Sequence, residues 1–298
     1  MLWSQLQDQA VTLGWDFYLP VIMFVVLCAL AVPVWVSIGA AAILMLIMSE
    51  ALPLSLIGES LFDGIDAFAL TAVPLFILTG DVLVRTGLSR KFLDIADALT
   101  CWTKGGFGSA TVLVCGMFSS ISGSDAAGAA AVGRMTISRL VESGYPRPYA
   151  CALVAAGSCT GILIPPSISY IIIGLVLGIS ASILFLAAVI PGLTILLSIL
   201  ITNIVMNRLN SYESGGNITF IEWWQNLTKA LKSGWYAFIV PGIIFYGIFS
   251  GSLTPTEAGA TAVVVTIIIG FILGTLKLSN FPDMLLSSAK VNGVILPI

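Results

Sequence analysis

The stretch that decides the fold is GGFGSATVLVCGMFSSISGSDAAGAAAVGRMTISR, residues 105–139. It is apolar along both flanks, rich in Gly, Ser and Ala, and interrupted at its centre by Ser119-Ser120-Ile121-Ser122-Gly123-Ser124-Asp125. Two apolar half-helices around a polar tip predict a helical hairpin rather than one rod. A second interruption follows at Gly157-Ser158-Cys159-Thr160-Gly161-Ile162-Leu163-Ile164-Pro165-Pro166-Ser167, inside an apolar stretch of about 149–178 that is too long for one straight crossing. A bilayer core takes roughly 20 apolar residues per helix. Pro165 and Pro166 lack amide donors, and their rings clash with carbonyls one turn back. The carbonyls around Gly161 to Ile164 are therefore expected to be free, with a new half-helix starting near Ser167.

Composition sets the solvent. Of 298 residues, 58% are hydrophobic and 9% are charged, and the mean hydropathy is +1.06. Soluble domains carry about 25% charged residues, so this chain needs lipid around it: an all-α, polytopic membrane protein. There is no histidine, which excludes imidazole metal sites, histidine triads and histidine proton relays. Cys28, Cys101, Cys115, Cys151 and Cys159 show no CxxC spacing and read as small buried hydrophobes. No transition metal, organic cofactor or nucleic-acid partner is expected. Met1 to Phe17 carries no Lys or Arg, so it lacks the basic region of a cleavable signal.

Apolar stretches run about 18–33, 34–48, 67–84, 149–178, 184–206, 234–250 and 257–275. Basic residues follow alternate spans: Arg85, Arg90, Lys91 and Lys104; Arg134, Arg139 and Arg147; Arg208, Lys229 and Lys232; Lys277 and Lys290. Connections 49–66, 179–183 and 251–256 have none. If segment 105–139 leaves on the side it came from, every Lys and Arg falls on one face. That face is then cytoplasmic and the N-terminus lies outside. A single crossing would divide the charges between both faces, so the pattern predicts a re-entrant hairpin. Ser89 to Thr103 and Phe220 to Lys232 read as amphipathic interfacial helices, the latter anchored by Trp223 and Trp224.

Irregular backbone survives at membrane depth only where protein or a water-filled cavity receives the freed polar groups. Freed carbonyls from Gly161 to Ile164 and the hydroxyls of Ser122, Ser124 and Thr160 offer hard oxygens to Na⁺. Half-helix starts at Ser124-Asp125 and, beyond Pro166, from Ser167 onward offer amides and a positive dipole end to a substrate carboxylate. The plainer alternatives are a Ser-Gly-Ser turn and a Pro-Pro kink. Asp125 reads either as an N-cap or as a charge tuning the cation site. Asp81 lies at the solvated end of its span. Thr254-Pro255-Thr256-Glu257 reads as a structural capping box with proline at the first helical position. An intramembrane enzyme has no support, lacking His, paired intramembrane carboxylates or a Ser–Lys pair in adjacent spans.

Pro53-Leu54-Ser55-Leu56-Ile57 leads to Ala72-Val73-Pro74-Leu75-Phe76, and Phe281-Pro282-Asp283-Met284-Leu285 leads to Val294-Ile295-Leu296-Pro297-Ile298. Each pair follows two spans, on opposite sides by the charge argument. This is the pattern of an inverted-topology repeat, whose second copy is incomplete here; a fragment of a longer protein is expected. The predicted organisation is scaffold helices in 1–66, a transport region in 67–183, further scaffold and the interfacial helix in 184–256, and the start of the second repeat in 257–298.

At Ser122-Gly123-Ser124, Gly161-Ile162-Leu163-Ile164-Pro165-Pro166-Ser167, Pro74-Leu75-Phe76 with Gly80, and Thr254-Pro255-Thr256-Glu257-Ala258, the sequence resembles the large membrane subunit of tripartite ATP-independent periplasmic (TRAP) transporters. The resemblance runs through essentially the whole chain. It implies an elevator-type importer of small organic acids such as C4-dicarboxylates, sialic acids or other sugar acids, driven by a sodium gradient. It also implies a small four-helix membrane subunit and a periplasmic substrate-binding protein as partners. Sodium would be held by Ser122, Gly123 and Ser124 and by Gly161 to Pro166, with Ile164 and Pro165 among them. Asp125 departs from the small or polar residue expected after Ser-Gly-Ser. The nearest alternative is a stand-alone divalent-anion/sodium symporter, and a passive channel is the more distant one.

Overall fold

The computed structural model describes residues 15–49, 55–213, 219–276, 279 and 281–295, and among these every regular element is a helix. Within them, Phe68–Arg85, Ala181–Asn210, Phe220–Phe249 and Pro255–Ile272 are long and apolar enough to cross a membrane, and Phe17–Ala29, Val34–Met48, Gly106–Ser122 and Ile168–Leu177 are shorter apolar helices. The chain divides into two compact units, Phe68–Asn292 and the remainder.

In the smaller unit, α1 (Trp15–Ala29) and α2 (Val34–Ser49) pack on each other, followed by α3 (Ser55–Ile65). The chain reverses through Ala31, which takes a left-handed φ of 59°, and Pro33 precedes the new helix. Val25, Leu30, Val34 and Ile47 remain exposed, as suits helices that face lipid. Pro53 and Leu54, Lys277, and Leu296 to Ile298 fall outside the described residues, so the proposed repeat is seen only through its flanking helices.

The larger unit begins with a 3₁₀ turn, Phe68–Thr71, leading into α4 (Ala72–Arg85) and α5 (Leu88–Thr100). Then come α6 (Gly106–Ser122), α7 (Asp125–Glu142), α8 (Arg147–Cys159), α9 (Ile168–Leu177), α10 (Ala181–Asn210), α11 (Phe220–Gly234), α12 (Ile239–Phe249), α13 (Pro255–Ile272) and α14 (Phe281–Ile295). Its core joins Phe76 of α4, Phe92 of α5, Phe107 and Phe118 of α6, and Phe185 of α10. The two amphipathic stretches become α5 and α11, and they pack together: a methyl group on Gly234 would stand 3.1 Å from Ile95 Cδ1, and Trp223 Nε1 donates to the Leu99 carbonyl at 3.3 Å.

Segment 105–139 is two helices. α6 ends on Gly123, left-handed at φ 65° with its N–H bonded to Ser119 O, a conformation open to glycine at low cost. The arms then run antiparallel, since residues at matched distances from the tip touch. Near the tip, Ser119 sits on Gly128 with no room for a methyl group between them. At the base, the Arg139 guanidinium lies 4.0 Å from the centre of the Phe107 ring and bonds Asp97 at 2.6 Å. The small residues of α7, Ala126 to Gly133, permit this approach, and close packing of small residues is what holds helices together in lipid.

The end of α10 clasps the hairpin base. Asn207 brackets the Glu213 backbone, accepting from its N–H at 2.8 Å and donating to its carbonyl at 3.1 Å. The Glu213 carboxylate accepts from the Phe107 N–H at 3.1 Å and from Tyr145 Oη at 3.1 Å. Buried Asn203 donates to Gly105 O and Ser109 Oγ and accepts from Tyr149 Oη. Tyr145, in the connection before α8, stacks on Tyr149. Burial, with the Glu213 carboxylate alongside, pushes the Tyr145 hydroxyl above the usual tyrosine range.

Candidate functional site

The two interruptions meet. Gly123 at the hairpin tip is so close to the start of α9 that a methyl group would stand 3.1 Å from Ile168 Cγ1 and 3.3 Å from the Pro166 carbonyl oxygen. On the other side of the tip, α4 closes in through Gly80, where a methyl group would stand 2.8 Å from Ser122 Cβ. Deeper in, Gly161 of the second interruption is pressed on Ser119 so tightly that no side chain fits. Three segments, α6, α7 and the stretch 160–167, therefore converge on Ser119.

Prolines shape the second interruption as expected. α8 stops at Cys159 and α9 starts at Ile168 with Ser167 as N-cap. The last amides fold back on Gly157, Ser158 and Thr160. Among the described residues no hydrogen bond reaches the carbonyls of Gly161, Ile162, Leu163 or Ile164. The Pro165–Pro166 peptide is cis.

The predicted residues fall as follows. Ser122 is buried, its hydroxyl reaching Ser119 O and Ser124 O only at 3.4 Å. Ser124 caps α7, accepting from Ala127 N–H at 3.4 Å. Asp125 therefore is not the N-cap; the shorter serine side chain in extended backbone takes that role, and Asp125 becomes the first helical residue. The backbone amide of Ile162, in the other interruption, faces its carboxylate. Thr160 is buried and donates to Gly157 O at 2.7 Å, which leaves its oxygen lone pairs available. Gly161, Pro165, Pro166 and Ser167 are buried in the same junction. Ile164 turns its side chain to α10, against Gly192. Glu257 accepts from Thr254 N–H at 2.8 Å and Thr254 Oγ1 accepts in return from Glu257 N–H, the capping box that the sequence predicts. Asp81 pairs with Arg85 at 3.0 Å.

Among the described residues six buried side-chain oxygens lack any hydrogen-bond partner, and four of them lie here: Ser119 Oγ, Asp125 Oδ1, Ser158 Oγ and Ser167 Oγ. A buried polar group without a partner costs about 1–3 kcal/mol, so these four oxygens need a partner, water or ion, that the described protein groups do not supply. Ser119 and Ser158 are absent from the sequence-derived set. Ser119 is one helical turn before Gly123 and Ser158 three residues before Gly161; both hydroxyls lie over Gly128. Their spacing from the breaks was the available signal.

The donor set is neutral hydroxyls, unbonded carbonyls and one carboxylate, all hard oxygens. Among the described residues no three His, Cys, Asp or Glu side chains gather anywhere, so the arrangement suits a monovalent cation better than a divalent one. The start of α9, with Ser167 Oγ unengaged, offers amides to an anion beside it.

Residues 21–298 match the family described as tripartite ATP-independent periplasmic transporter, DctM component. The chain belongs to this TRAP transporter family. It is 32% identical over 284 residues to the isethionate TRAP transporter permease protein DctMQ of Oleidesulfovibrio alaskensis, covering 93% of this chain and 44% of that protein. It is 32% identical over 256 residues to the C4-dicarboxylate TRAP transporter large permease protein DctM of Pseudomonas aeruginosa, covering 86% and 59%. With the sialic acid TRAP transporter large permease protein SiaM of Vibrio cholerae it shares 30% identity over 264 residues, covering 88% and 61%. The chain thus spans about half the length of these TRAP permeases. It is a multi-pass membrane protein of a transporter family, and its interrupted helices belong to the matched region.

Proposed function

We propose that this chain carries the first ion site and part of the substrate path of a sodium-coupled importer of small organic acids. The observation that carries this reading is the cluster of partnerless buried oxygens where two helix interruptions face each other. Na⁺ would be held by oxygens of Ser119, Ser122, Ser124, Ser158 and Thr160 and by the free carbonyls from Gly161 to Ile164. Gly123 and Pro165 shape the backbone, and Asp125 adds negative charge beside the site. The amides at Ser124 and Asp125, and those of the new half-helix from Ser167 onward, would receive the substrate carboxylate, with Pro166, which has no N–H, shaping the backbone beside them. The relatives named for C4-dicarboxylate, sialic acid and isethionate share a small anionic cargo; with no buried basic cluster at the site among the described residues, half-helix amides and the bound sodium would supply the positive potential it needs.

The hairpin and the broken helix form one body, because contacts at Ser119, Gly128 and Gly161 leave no slack between them. In this reading the hairpin is re-entrant, the N-terminus is periplasmic, and the body moves as an elevator against scaffold helices. A second, inverted repeat would complete the transporter, with a small membrane subunit and a periplasmic binding protein as partners. The test is uptake of radiolabelled organic acids by proteoliposomes carrying the complete transporter and its binding protein. Accumulation should require an inward sodium gradient and collapse when sodium is equilibrated. Equal uptake in potassium-only buffer would overturn the coupling.

A further inference from the structure

A cavity of about 900 Å³ opens beside the hairpin base, lined by Trp102, Lys104, Ile204, Asn207, Arg208 and Glu213 among others. It lies at the opposite end of α6 from the interruptions and plays no role in the transport reading. Its lining is net positive, with two cations and one carboxylate. The Glu213 carboxylate is turned inward, engaged by the Phe107 N–H and Tyr145 Oη, and the Asn207 amide is occupied by the Glu213 backbone. Lys104 and Arg208 are exposed and neither forms an ion pair among the described residues. Two cations without an ion pair therefore stand against one carboxylate, which keeps its charge while neutral donors hold its oxygens, so the cavity is net positive.

The same helix supplies an apolar track. Leu197, Ile201, Ile204 and Arg208 follow helical spacing along one face of α10, and Leu197 and Ile201 are exposed. Trp102, 63% exposed, stands at the rim, where indole rings settle at the headgroup level of a bilayer. A free anion would have no use for the track or the tryptophan. We infer that this cavity is a headgroup site for an anionic phospholipid, its phosphate between Lys104 and Arg208 and its acyl chain along α10. Basic recesses at the membrane surface are the usual receivers of such headgroups. Bound there, the lipid would brace the clasp between α10 and the hairpin base.

The test is native mass spectrometry of the purified full-length protein after exchange into micelles doped with phosphatidylglycerol, cardiolipin or phosphatidylcholine. Retention of an anionic lipid should fall roughly fivefold per cation removed in K104Q and R208Q, the effect of one Lys or Arg beside an anionic surface. The charge-keeping pair K104R/R208K should retain it, and phosphatidylcholine should not be held. Thermal melting of each variant separates lost binding from lost fold, and a variant that fails to fold is replaced in the comparison by W102A. Equal loss in the K229Q/K232Q pair would mean general attraction to a basic face and would overturn the site. Stabilisation by inorganic phosphate matching that by lipid would overturn the lipid assignment.

Discussion

Ser119 is the residue on which the candidate site turns, because two glycines from different segments are spent on reaching it. Gly128→Ala adds a methyl group where Ser119 Oγ already sits, and overpacking of this kind costs about 1–3 kcal/mol. The melting temperature in detergent should fall by several degrees. Since the hydroxyl is the atom met first, Ser119→Ala in the Gly128→Ala background should recover part of the loss, a coupling measurable as a double-mutant cycle. Alone, Ser119→Ala and Ser158→Ala each remove a partnerless oxygen and should leave stability nearly unchanged. If these oxygens are sodium ligands, the sodium concentration for half-maximal uptake should rise about 10- to 100-fold, the scale of one charge-assisted contact. An unchanged sodium requirement in both variants would remove them from the site. At this scale the sequence was legible at Gly123, Pro165 and Pro166, whose backbone demands are intrinsic. It was less so at Asp125, where serine and aspartate both suit the cap position and the choice went to Ser124.

Among elements, the breaks at 123–124 and 160–167 were readable because glycine and proline act locally. The clasp at the hairpin base was not. Glu213 bonds an amide 106 residues away, and Asn203 and Asn207 look like ordinary polar residues near a helix end until the fold brings Gly105 and Ser109 to them. Glu213→Ala would leave the Phe107 N–H and the Tyr145 O–H without their acceptor in a buried place, at a cost of about 1–3 kcal/mol; Asn203→Ala should cost a similar amount. The clasp also has a pH signature. The Tyr145 hydroxyl is raised above its unfolded value by burial and by Glu213, so the folded chain holds a proton that the unfolded chain releases near pH 10. Its contribution to stability is present in full below about pH 10 and is lost as pH climbs above that value. Melting temperature should therefore decline through that range in the native sequence, and less steeply in Tyr145→Phe. Identical alkaline profiles would show that the tyrosine is solvated and the clasp open.

For the whole molecule, hydropathy and charge placement led to an all-helical, multi-pass chain, and the family match and the helices agree with both. Sidedness is a separate property, because it belongs to the chain in its bilayer. The structure places Phe107 beside Arg139, so the two ends of the hairpin lie together; a re-entrant path keeps both ends on one face, which the placement of Lys and Arg would make the cytoplasmic one. Substitution of the five native cysteines, followed by single cysteines at Lys104, Glu142 and Ser252, tests this with a thiol reagent that cannot cross the membrane. Lys104 precedes the hairpin, Glu142 follows it, and Ser252 lies in one of the connections without Lys or Arg; all three are exposed. In right-side-out vesicles Ser252→Cys should react, while Lys104→Cys and Glu142→Cys should react only after permeabilisation. Inverted vesicles should reverse the pattern. Opposite behaviour of Lys104→Cys and Glu142→Cys would mean that segment 105–139 crosses from face to face. The basic residues would then straddle the membrane, and the charge asymmetry that orients every other span would lose its cause.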